Sequence, residues 1–163
     1  MARRILYFLA LIFSVIIYQT LIADLVSIRL ARPDIILVII VWLTLTRDLS
    51  WGVSFGFAAG ILEDSHHPQF LGLGAFLKIA AAIAVYLTSH RVRIDSLPIR
   101  IAVIAAVVTA HDILYFLVVY SFNIHLEFIT LFNTIIPSAI YTSVVAAGVL
   151  YLSERQLTIK LEA

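Results

Sequence analysis

The chain has 163 residues, of which 63% are apolar, 13% are charged and none is cysteine. Soluble domains are only about 45–50% apolar, so this composition marks an integral membrane protein with room for a single domain. The absence of thiols excludes disulfides, thiolate catalysis and cysteine-ligated metal, and a net charge of +1 gives no ground for a nucleic-acid partner.

Crossing a bilayer takes about 20 apolar residues in a helix. Apolar runs near 5–23, 34–46, 49–63, 71–89, 98–122 and 128–152 predict an all-α, polytopic fold of six transmembrane helices forming one domain over residues 1–163. The run from Ile5 to Ala23 is too long for the apolar core of a signal peptide and reads as a retained first span. The second and third runs are short, about 20 Å each as helices. Joining them into one long helix would bury Arg47 and Asp48 at mid-membrane, so two short helices and a tight turn are expected. Pro33 and Pro98 fall at the first turns of spans two and five, where a missing N–H costs little.

In the third span Gly52, Gly56 and Gly60 recur every four residues, which makes a smooth ridge for close approach of another helix, from this chain or a partner. Asp64 continues the spacing. The run ends in Glu63, Asp64, His66 and His67 before a new apolar run opens at Leu71-Gly72, giving helix, tight polar connection, helix. Such a connection reads either as an ordinary loop or as a functional rim, because ionisable groups near membrane depth are costly. Its residue types suit a metal, but no i, i+4 ligand pair is present. Span five repeats Ala102, Ala106 and Ala110, a second close-packing face, and Pro137 inside span six, four residues after Asn133, is expected to kink that helix. The tail after Ser153 reads as a frayed end or a short strand.

Placing the N-terminus in the cytoplasm puts eight basic residues inside (Arg3, Arg4, Arg47, Arg91, Arg93, Arg100, Arg155, Lys160) and two, Arg29 and Arg32, outside. That asymmetry predicts both termini cytoplasmic. On this layout the intramembrane polar residues form one layer near the outer face. Asp34 opens span two, Asp64 closes span three, Lys78 lies about 10 Å deep, His111 and Asp112 about 15 Å, and Asn133 about 8 Å. The layer would line a shallow outward cavity for a partner or ligand. Lys78 and Asp112 are in reach of one another, as a structural ion pair or as part of a site, whereas Asn133 also suits interhelical bonding. His111 and Asp112 are successive residues on a helix and point different ways, which argues against a His/Asp relay. Nucleophile–base pairs, H-E-x-x-H and phosphate-cradling glycine loops are all absent from the sequence, so no catalytic residue, cofactor or metal is expected.

Arg32-Pro33-Asp34 ahead of an apolar run, Gly60-Ile-Leu-Glu-Asp64 with Leu71-Gly72 beginning seven positions further on, Asp112 in span five and Asn133 in span six together resemble the MreD family, from about residue 5 to 152. This is the small integral membrane subunit of the bacterial rod-shape, or elongation, machinery. Pro68 and Glu63 depart from the family pattern, which has a glycine and an apolar residue there. The resemblance implies a six-helix fold similar to the substrate-binding components of energy-coupling-factor vitamin transporters, and residence in the bacterial inner membrane. It also implies a non-enzymatic scaffold role in peptidoglycan synthesis. The partners would be MreC, and in the same assembly MreB, RodA and a class B penicillin-binding protein. The alternative is a substrate-binding subunit of a vitamin-type transporter. Such subunits carry an Ala-xxx-Ala docking pair in their first helix, where this chain has Ala10 and Ser14.

Overall fold

A computed structural model describes residues 2–22, 25, 27, 33–65, 68–92, 94, 96–119 and 135–151. Among these the chain is helical throughout, with no strand: α1 (Ala2–Ile17, continued by a π-helical turn Tyr18–Ile22), α2 (Ile35–Thr46), α3 (Leu49–Asp64), α4 (Leu73–Arg91), α5 (Leu97–Val119) and α6 (Ile135–Tyr151). Among the described residues three stretches are long and apolar enough to cross a membrane: Ile5–Ile22, Leu73–Arg91 and Leu97–Val119. Helix α2, and α6 over its described residues, are apolar but shorter.

The short α2 is the centre of the bundle. Its residues are apolar on every side, and Ile36, Leu37, Val38, Ile40, Val41 and Leu43 are all buried, as a helix without a polar face must be. Around it close Phe55 and Ala59 of α3, Ala82 and Val85 of α4, Ile104 and Val108 of α5, and Ala146 and Leu150 of α6. Helix α1 is more peripheral. Ile5, Leu6, Leu9 and Phe13 are exposed, while Tyr7 and Phe8 meet Trp51 at ring separations of 6.1 and 6.2 Å. Exposed apolar side chains on such a helix are what lipid, rather than water, would cover.

The turn between α2 and α3 is made at Arg47-Asp48. The Asp48 carboxylate accepts the Leu49 N–H (2.8 Å) and the Ser50 hydroxyl (3.1 Å), so α3 starts with one of its orphan donors satisfied. The Arg47 guanidinium lies 5.6 Å over the Tyr7 ring at the same end.

The glycine ridge of α3 is spent inside the chain. A Cβ at Gly56 would sit 3.3 Å from the Lys78 carbonyl of α4 and 3.4 Å from Ile40 of α2. At Gly60 it would come within 2.6 Å of the Ala75 backbone nitrogen, and at Gly52 it would strike the Thr44 hydroxyl. Helices α3 and α4 therefore touch backbone to backbone, which is what lets side chains at their shared end reach across.

Two expectations need correction. Pro33 is not in the first turn of α2, because Asp34 is the capping residue and Pro33 precedes it. Ala102, Ala106 and Ala110 face outward on α5, whose buried face is carried by Ile104 and Val108; a helix apolar all round does not announce which side turns inward. Pro137 is the third described residue of α6, and the residues before Ile135, where the expected kink at Asn133 would show, lie outside the described residues. The tail beyond Tyr151 lies outside the described residues.

Candidate functional site

Helix α4 begins at a glycine in the left-handed conformation, Gly72 with φ +96°, which offers no side chain to cap the first N–H groups. The cap comes instead from the end of α3. One oxygen of Asp64 accepts the Gly72 and Ala75 N–H groups at 2.9 and 3.2 Å, and the other accepts that of Gly74 at 3.1 Å. A carboxylate set against a helix N-terminus meets both unsatisfied donors and the positive end of the helix dipole. Gly74 makes room for it, since a Cβ there would fall on the carboxylate oxygen. Gly60, Asp64, Gly72 and Gly74 thus form one unit: close approach, cap, turn and clearance.

Lys78 sits one turn further along the same face of α4. It is 1% exposed, and its ammonium is joined to Glu63 at 2.5 Å, while the Glu63 side chain is 45% exposed. Asp34 and Asp64 also act on this ammonium electrostatically. A buried amine without carboxylates would be prohibitive in a low-dielectric interior. Here Glu63 supplies the direct partner, while Asp34 and Asp64 are seated at helix N-termini.

Asp34 is the second of these. Its side chain accepts the Leu37 N–H (2.9 Å) and caps α2, and its own N–H donates to the Thr142 hydroxyl of α6 (3.0 Å). The carbonyl of the neighbouring Pro33 accepts the Tyr18 hydroxyl from the turn after α1 (2.6 Å). The Pro33-Asp34 corner therefore ties α1, α2 and α6 together at the acidic end. On α5, His111 Nδ1 and Asp112 Oδ1 are 3.1 Å apart and the imidazole stacks on Tyr115.

Asp34, Asp64 and Lys78 come together as one layer. Arg32, Asn133, His66 and His67 lie outside the described residues. Lys78 turns to Glu63 rather than to Asp112, because the glycine contact of α3 with α4 brings the end of α3 over the lysine. The expected divergence of His111 and Asp112 is overturned too: their side chains swing together across the backbone step. Asp64 is held by backbone N–H groups. Gly74, Thr142 and Tyr18 were not singled out from sequence. A glycine two residues into a helix and a hydroxyl inside an apolar span were the available signals, since a buried hydroxyl must find a partner.

Apolar helices of spanning length, closed around a buried lysine paired with a half-exposed glutamate and two capping carboxylates, define an α-helical membrane protein. The family model described as rod shape-determining protein MreD matches residues 2–160. The chain belongs to the MreD family and is a rod-shape-determining membrane protein. No curated protein and no solved structure matches it.

Proposed function

We propose that the chain is a non-enzymatic scaffold of the cell-wall elongation machinery that binds MreC, and that it belongs with MreB, RodA and a class B penicillin-binding protein in one inner-membrane assembly. The family match over residues 2–160 carries this reading. In it, the helices form a six-span bundle like that of vitamin-transporter substrate components. Both termini are cytoplasmic, following the eight-to-two division of basic residues, and the acidic end is outermost.

The outer layer is the surface read by the partner, with Glu63 and Asp112 as its accessible carboxylates. Glu63 is 45% and Asp112 22% exposed, whereas Asp64 is buried in its cap. A partner bringing basic groups to this rim would gain charge complementarity at little desolvation cost.

Two measurements test the reading. Because the chain has no cysteine, Ser65→Cys and Arg91→Cys report topology cleanly. An impermeant thiol reagent applied to intact cells should label the first and not the second, and the reverse pattern overturns the orientation. Glu63→Gln and Asp112→Asn should each lower co-purification with MreC while the isolated protein still folds. Undiminished co-purification by both removes the layer from the interface.

A further inference from the structure

At the opposite, basic end of the bundle a cavity of about 250 Å³ opens between α2, α4, α5 and α6. Its polar lining is Thr46, Ser89 and Arg100, and its apolar walls include Trp42, Ile94 and Leu150. Arg47 and Arg91 are exposed at the same end, at the C-termini of α2 and α4. A second space starts at Ile101, the residue after Arg100. This groove of about 340 Å³ runs between α5 and α6, where Ala105, Ala139, Ser143 and Ala147 hold the two helices' side chains short. The Ser143 hydroxyl is turned back onto the Ala139 carbonyl at 2.6 Å, so the groove presents an apolar wall. From Ala147 to Ala139 it extends about 12 Å along α6.

We propose that these two spaces hold one anionic phospholipid, its phosphate on the Arg100 guanidinium and an acyl chain in the α5–α6 groove. The guanidinium is a planar fork of five donors that matches phosphate oxygens. Its Nε donates to the Ile94 carbonyl at 3.3 Å, which fixes the plane of the fork at the cavity wall. A soluble anion would use the arginine alone. A lipid uses both spaces, and Arg100 in the cavity wall, with the exposed Arg47 and Arg91 at the same end of the bundle, favours a negative over a zwitterionic headgroup, as basic pockets between transmembrane helices do. The proposal is independent of the partner reading, since it concerns the other end of the bundle.

The test is native mass spectrometry of the full chain released from detergent after incubation with phosphatidylglycerol or with phosphatidylcholine of identical acyl chains, and with glycerol phosphate as a soluble anion. Wild type should retain phosphatidylglycerol about tenfold more than phosphatidylcholine, a difference of about 1.4 kcal/mol, and should not retain glycerol phosphate. Arg100→Gln should lower phosphatidylglycerol to the phosphatidylcholine level. Ala105→Leu, which fills the groove and leaves every charge in place, should also reduce it, and carries the test alone if Arg100→Gln is not monodisperse. Equal retention of the two lipids, or wild-type retention by Ala105→Leu, overturns the proposal. Competition by glycerol phosphate at the same concentration as lipid also overturns it, in favour of a soluble anion site.

Discussion

Replacing Asp64 by asparagine should loosen the α3–α4 corner. The carboxylate uses both oxygens, one for Gly72 and Ala75 and the other for Gly74. Asparagine keeps a single oxygen and turns an NH₂ group toward the remaining N–H or pair of N–H groups. A hydrogen bond to a charged acceptor contributes about 1.5–3 kcal/mol, and loss of a helix cap costs about 0.5–2 kcal/mol. These overlap because the cap is made of those bonds, so a loss of about 3 kcal/mol is expected. In a domain of this size each kcal/mol moves the melting temperature by about 2–4 °C, which sets a fall of roughly 6–12 °C. The assay is the loss of the monodisperse peak in size-exclusion chromatography after heating detergent-solubilised protein. Gly74→Ala should give a comparable fall, because its Cβ would displace the same carboxylate. If Asp64→Asn melts with wild type while Gly74→Ala does not, the carboxylate is no structural cap, and the reasoning fails.

The same melting assay checks three further outcomes. Gly60→Ala drives a methyl into the Ala75 backbone and should cost about 1–3 kcal/mol, whereas Gly148→Ala, with nothing within 4 Å of the new Cβ, should be neutral or stabilising by about 0.5–1 kcal/mol; equal effects would mean that the ridge is not a backbone contact. Glu63→Ala strands the buried Lys78 and should cost about 3 kcal/mol, while Lys78→Met leaves a half-exposed carboxylate and should cost less, with the double variant Lys78→Met, Glu63→Leu recovering most of the loss; a larger loss for Lys78→Met would reverse this account. Thr142→Val removes the acceptor of the Asp34 N–H and should cost about 1 kcal/mol, so an unchanged melt would show that the α2–α6 tie is dispensable.

Much of this protein was written in its order of residues. Apolar runs set the helical, membrane-borne class, because a chain with so few polar side chains cannot satisfy its backbone in lipid except by helices. The cost of burying Arg47 and Asp48 at mid-membrane placed the turn between α2 and α3, and the structure adds that Asp48 caps α3 there. Glycines four apart marked a ridge, and short motifs around Asp34, Asp64 and Leu71-Gly72 carried the family. Tertiary structure alone decided which groups meet. Periodicity puts Lys78 on a face of α4 but does not set the rotation of that helix against α3 and α5. That rotation is fixed by the approach of Gly56 and Gly60, and it delivered Glu63 instead of Asp112 to the lysine. Sequence displays the charge of Asp64 but not the donors that satisfy it, which are backbone N–H groups, present at every residue and exposed only where a helix begins.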